Sequence, residues 1–229
     1  MDFVEVVPSL YRIELDFVNA YLWCDPGDLT LVDSGYHGTG AAVLDAVRRL
    51  GQDPAELRRV IVTHSHDDHT GGASEIVETL PDVSVIASRA DAPVIRGERE
   101  QAAPVLEDWE RRMADGLPDL PKAPPVRVDL EVEDGDLLGF AGGATVVAVP
   151  GHTAGSIAIH LPLHRVLFTG DIAANVQRLI PGVFHLDRAE AQRSFERLAD
   201  LDVDTACFGH GEPVAHDAAT ALRSVAAEL

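Results

Sequence analysis

The sequence predicts an α+β fold, a four-layer αββα sandwich of two mixed β-sheets packed face to face with helices on the outer faces. Two observations lead there. The order along the chain is β-rich, then helical, then β-rich, then helical, which gives two similar halves. Five apolar strand-like runs each end in a polar residue flanked by turn-forming residues: Asp33-Ser-Gly, His64-Ser-His66, Gly-His152-Thr, Gly-Asp171 and Gly-His210-Gly. Strand ends on one edge of packed sheets converge, and the glycines let the backbone turn sharply beside them. No repeat of 20 to 50 residues is visible, which argues against a solenoid.

Residues 3 to 33 read as β. Phe3–Val7 and Leu10–Leu15 are short strands broken by Pro8 and Ser9. Residues 18–24 form a third strand, closed by the turn Asp25-Pro26-Gly27-Asp28. Residues 29–32 form a fourth. Leu44, Val47 and Leu50 then fall at helical spacing, and Gly51 is placed to end that helix. Val60, Ile61 and Val62 read as the end of a buried strand, followed by a tight loop and a helix carrying Ile76, Val77 and Leu80. Residues 83–87 are another buried strand.

Residues 88–125 differ in character. They are polar, carry Trp109 and Met113 on an expected helix, and end in a proline-rich run. This stretch is too short for its own core. It reads as an insertion packed over the sheet of one domain spanning 1–229, acting as a lid or as a structural strap. From 126 the β pattern returns, with strands expected at 126–130, 137–140 and 145–149. A hairpin is expected over 156–161 and 165–169, and a last strand at 205–208. Residues 188–200 are helical with Asp187 as N-cap, and the tail from His216 is helical.

The chain is long enough for a sizeable core, with 229 residues of which 46% are hydrophobic. Its 38 acidic and 18 basic residues give a formal charge of −20, which disfavours nucleic acid as a partner. Two scattered cysteines, Cys24 and Cys207, read as thiols in a reducing compartment. The N-terminal stretch has no basic region followed by an apolar run, and no run of about 18 apolar residues occurs. A cytoplasmic protein with no membrane partner is therefore expected.

The chemistry concentrates at His64-Ser-His66-Asp-Asp68-His69. Four metal-ligating side chains within six positions suit zinc, manganese or iron. They cannot all surround one ion without strain, so they divide between two. His64-Ser-His66-Asp-Asp68-His69 resembles the HxHxDH motif of the metallo-β-lactamase superfamily, and the match extends from residue 31 to residue 211. The resemblance implies the same four-layer fold. It implies His64, His66 and His152 on one metal, Asp68, His69 and His210 on a second, and Asp171 bridging both. Asp33 resembles the family's acid that orients a ligand without touching metal. Two divalent ions are expected, zinc first, with iron or manganese as alternatives. Metals about 3.5–4 Å apart clamp the attacking and leaving atoms, and bring the pKa of bound water to about 7. A bridging hydroxide is the expected nucleophile, with Asp68 orienting it or relaying its proton. Tyr36 and His37 after Asp33, and Asn175, Arg178 and His185 after Asp171, are candidates to touch substrate.

Fold and metals do not fix the substrate. The resemblance is to a glyoxalase II-like branch without the C-terminal glutathione-binding extension, since 19 residues follow His210. A small-molecule hydrolase for an ester, thioester or lactone is expected, and a homodimer is open. The alternatives are a single-iron enzyme similar to persulfide dioxygenases, a β-lactamase, and a non-catalytic metal-binding protein.

Overall fold

Alternation along the strands sorts the apolar residues into three sets, and each set fills one interface between layers. The computed structural model describes residues 2–229. The first half comprises β1 (Phe3–Val7), β2 (Leu10–Leu15), β3 (Val18–Asp25), β4 (Asp28–Val32), α1 (Gly40–Arg49), β5 (Leu57–Ile61), α2 (Asp67–Thr70), α3 (Ala73–Thr79) and β6 (Ser84–Ser88). It continues through α4 (Ala92–Ile95), α5 (Asp108–Ala114) and β7 (Leu130–Val132). The second half comprises β8 (Leu137–Leu138), β9 (Ala144–Ala148), β10 (Ile157–Leu161), β11 (Val166–Phe168), β12 (Ala173–Asn175), β13 (Leu179–Pro181), α6 (Arg188–Ala199), β14 (Thr205–Cys207) and α7 (Ala218–Ala226).

Strands β1 to β7 form one seven-stranded sheet in sequence order, antiparallel up to β4 and parallel from β4 to β7. The second sheet has the order β14-β11-β10-β9-β8. On β3, Val18, Ala20 and Leu22 point to one side, and Tyr21 and Trp23 to the other. The first side meets Val43, Leu44 and Val47 of α1 and Ile76 of α3, forming the outer layer of the first sheet. The second side meets Val146, Ile157, Ile159, Val166 and Phe168 of the facing sheet. Ala158, Leu167 and Ala206 point the opposite way, onto Phe195 and Leu198 of α6 and Leu222 of α7. Three interfaces separate four layers, which is the αββα sandwich. Among the described residues, no helix is long and apolar enough to cross a membrane. Cys24 and Cys207 are free thiols.

Local signals end the helices where expected. The Gly51 amide bonds to Arg48 O and the Gln52 amide to Val47 O, with Gly51 at φ +79°, a Schellman stop for α1. Asp187 accepts from the Glu190 amide and starts α6.

The return of β structure differs from expectation. Residues 126–129 are not strand; their strand begins at Leu130 and lies parallel to β6, at the edge of the first sheet. The preceding backbone goes elsewhere: the Val126 amide bonds to Ile95 O and the Asp129 amide to Val85 O. Arg127 meanwhile takes the carbonyls of Pro81 and Val83. The β12–β13 hairpin and the single helical turn α2 also lie outside the expected elements.

The insertion-like stretch carries α4 and α5, and Trp109 and Met113 are exposed on α5. Bonds along its length tie it to the rest of the chain. The Val105 amide bonds to His185 O, and the Ala123 amide bonds to Asp67 Oδ1. Between them, Glu110 is fully buried and accepts from the Phe184 amide and from Arg188.

Candidate metal centre

Strand direction sets the site. β4, β5 and β6 run parallel, so Asp33, His64 and the segment after Ser88 leave the first sheet at one edge. β9 and β11 each run antiparallel to β10, and β14 runs parallel to β11. His152, Asp171 and His210 therefore leave the second sheet at one edge too. The two edges face each other.

All seven expected ligand side chains meet there. His64 Nε2 lies 3.0 Å from His66 Nδ1, and His152 Nε2 lies 2.8 Å from the same atom. Asp68 Oδ2 is 3.8 Å from His69 Nε2 and 3.4 Å from His210 Nε2. Asp171 stands between the two groups. Its Oδ2 is 3.1 Å from His210, 3.7 Å from His152 and 4.0 Å from His64, and its Oδ1 is 3.4 Å from His69. Three sets capable of holding a divalent ion result: His64, His66 and His152; Asp68, His69 and His210; and His64, His69 and Asp171.

The turn α2 explains how one short segment serves two groups. His66 has extended backbone and precedes the helical turn, whose first bonds close on the His66 carbonyl. His64 and His66 stay on the strand side, and Asp68 and His69 are carried round the turn. Gly209 makes room opposite: a Cβ there would stand 2.1 Å from Asp171 Oδ1 and 2.6 Å from His69 Cε1.

Supporting groups fix the rings. Asp33 is buried at φ +60°, a region Asp tolerates better than most residues. Its Oδ1 accepts from the Thr63 amide, and its Oδ2 from the Thr63 hydroxyl and His69 Nδ1, each at 2.8–2.9 Å. The Nδ1 proton on His69 leaves Nε2 facing the cluster. Thr63 Oγ1 also lies 3.0 Å from His64 Nδ1, and Phe17 O lies 2.7 Å from His210 Nδ1. No local motif reveals Thr63 or Phe17, whose contacts to Asp33 and His210 are with residues distant in the chain.

Electrostatics separate the two groups. Burial pushes His64, His66 and His152 below the ordinary histidine value, so they are neutral and offer lone pairs. Burial also opposes charging of His69 and His210, but nearby carboxylates, Asp171 foremost, outweigh it. His69 is raised well above its usual value and His210 to about 9. Burial acts against the Asp171 charge, yet His210 and His69 hold it well below the usual carboxylate range. Protons thus sit where divalent cations would be favoured. His69 Nε2 and Asp171 Oδ1 are buried and lack hydrogen-bond partners, and neutral imidazoles with carboxylates are the donor set of a divalent transition metal. The residues fit such a group.

Solvent reaches the cluster over Asp68, His210 and the half-buried His66. The side chains of Asp68 and His210 are 18% and 22% exposed, whereas those of His64 and His69 are sealed. On that side Phe17 stacks at 6.2 Å on His210 and at 5.9 Å on Tyr36, whose hydroxyl donates to Asp16. The Asn175 amide bonds to His210 O, and Arg178 is exposed on the following turn. The other two candidates fall elsewhere. His37 pairs with Glu75 of α3 at 3.3 Å, and His185 is buried with its ring 5.5 Å from that of His152.

The family model described as "Metallo-beta-lactamase superfamily" matches residues 13–210. The chain is similar to "Probable metallo-hydrolase YflN" of Bacillus subtilis, with 28% identity covering 92% of this chain and 86% of that protein. It is also similar to a hydroxyacylglutathione hydrolase of Gloeobacter violaceus, with 33% identity over 71% of this chain, although it spans about half (51%) of that protein's length. Among solved structures, a metallo-beta-lactamase family protein of Thermus thermophilus superposes with TM-score 0.72 at 26% identity, over 97% of this chain and 80% of that one.

Proposed function

This chain belongs to the metallo-β-lactamase superfamily, and we propose that it is a hydrolase of small esters, thioesters or lactones with a dinuclear zinc centre. The observation that carries this is the position of Asp171, one carboxylate within 4.0 Å of His64, His152, His69 and His210. In this reading His64, His66 and His152 would hold one ion and Asp68, His69 and His210 the other, with Asp171 available to both. Divalent ions held there would lower the pKa of a bound water to about 7 and would polarise a carbonyl oxygen.

The chain's own residues do the rest. Asp33 keeps the His69 proton on Nδ1, and the Phe17 carbonyl holds His210 by its Nδ1. Asp68, a partly exposed carboxylate beside His210, orients the attacking water and accepts its proton. His64 and His152 are sealed from bulk water, so substrate enters over Asp68, His210 and the half-buried His66. Phe17 and Tyr36 form an aromatic wall on that side, and Asn175 and Arg178 stand on the hairpin beyond it. Residues 88–125 act as a strap, held at His185 and Asp67 on either side of the centre, within a single domain.

Similarity to hydroxyacylglutathione hydrolases supports a thioester substrate within the glyoxalase II-like branch. The free thiols agree with a reducing, cytoplasmic setting. The test is a panel of acyl thioesters, aryl esters, lactones and a β-lactam offered to zinc-loaded protein. Turnover of at least one ester, thioester or lactone, abolished by chelation, is expected. No metal-dependent turnover, or turnover of the β-lactam alone, would overturn the proposal.

A further inference from the structure

Asp91 lies between β6 and α4, and its side chain leaves the α4 cap unmade. It turns inward instead. Its Oδ2 accepts from the Ser65 amide at 2.9 Å and from the Thr153 hydroxyl at 2.7 Å. Ser65 stands between His64 and His66, and Thr153 follows His152. One carboxylate oxygen therefore joins the two loops that carry the three converging imidazoles.

The surroundings are built around it. Ser156 Oγ accepts from the Thr153 amide at 3.0 Å, and Ser88 Oγ accepts from the Asp91 amide at 3.2 Å. All five of these residues are buried. A Cβ on Gly155 would stand 2.6 Å from Asp91 Oδ1, so the loop closes tightly over the carboxylate. Among the described residues, no arginine, lysine or histidine pairs with Asp91 within ion-pair distance. A buried carboxylate without a cation is costly. The nearest ligand cluster feels its charge: burial lowers His66, while Asp68, Asp171 and Asp91 act against that.

We propose that Asp91 is a positioning residue for the three-imidazole group. It fixes the spacing between the His64–His66 loop and the His152 loop, and it supplies negative charge that favours a cation among them. This rests on the reading that His64, His66 and His152 hold a divalent ion.

Cobalt(II) is the probe, followed by its visible absorption and by stepwise competition with a chromophoric chelator. In Asp91→Ala, one of two cobalt ions is expected to bind about 10–100-fold more weakly with a shifted absorption band, the other being unchanged. Asp91→Asn keeps an acceptor for Ser65 and Thr153, so its band should match wild type while affinity falls by a smaller factor. If Asp91→Ala does not fold, Thr153→Val, which loses the hydroxyl's bonds to Asp91 and Ser156 but keeps the carboxylate and its Ser65 bond, should weaken the same ion in the same direction. Lower thermal stability with cobalt affinities and spectra unchanged in these variants would overturn the inference alone. A wild-type chain that binds no cobalt would overturn the proposed function, and this inference with it.

Discussion

Replacing Asp33 separates geometry from charge beneath the cluster. Asp33→Ala removes the acceptor of the Thr63 amide and of His69 Nδ1, both buried. The Thr63 hydroxyl can turn to His64 Nδ1, but the other two donors have no substitute. Each orphaned donor costs about 1–3 kcal/mol. Alanine at φ +60° adds about 1–2 kcal/mol. The total, roughly 3–8 kcal/mol, is comparable to a domain's whole stability, so this variant should unfold or become marginal. Asp33→Asn is more informative. Asparagine tolerates the same backbone, and its carbonyl oxygen must face the Thr63 amide. Its NH2 then faces His69 Nδ1, which can only accept, and the ring proton moves to Nε2. We expect a folded protein whose His69 cannot ligate, with affinity for one of two zinc ions down about 10–100-fold. Denaturation of both variants, zinc competition and ring-nitrogen NMR at alkaline pH check this. Asp33→Asn that binds two zinc ions like wild type, with His69 protonated on Nδ1, would refute the reasoning.

Other outcomes follow from single contacts. Gly209→Ala places a methyl 2.1 Å from Asp171 Oδ1, so it should lower stability by about 1–3 kcal/mol and weaken metal binding, read by calorimetry and metal analysis. In the metal-free chain His210 is raised to about 9, against an ordinary value near 6.5. That contribution to stability is fully present below about pH 6.5 and lost as pH rises through about 9. The metal-free melting temperature should therefore fall across this window, and fall less in His210→Ala. Glu110→Gln weakens charge-assisted bonds to Arg188 and the Phe184 amide, so the segment around α5 should loosen. Hydrogen exchange should rise in 105–123 and 182–188, with a stability loss of about 1–2 kcal/mol.

The sequence made the strand ends legible because apolar runs and the polar residues after them are local patterns. The four ligand types at 64–69 needed only the order of residues, the strand ends marked 152, 171 and 210, and the resemblance gave those positions their roles. What stayed hidden depends on distant contacts. Asp91 carries no motif, and its partners lie 26 and 62 positions away. Glu110 lies in a polar stretch, yet it is fully buried and bonds to Arg188 and the Phe184 amide. Residues 126–129 have β propensity, but Arg127 and the Val126 amide bind the ends of other elements. His37 and His185 lie on the expected loops, and Glu75 and the buried side of His152 claim them.

Metal stoichiometry tests the central claim most directly. Elemental analysis of the zinc-reconstituted chain should give two ions in wild type and one each in His152→Ala and His210→Ala. No bound metal in wild type, or a single iron retained together with oxygen uptake, would contradict the account.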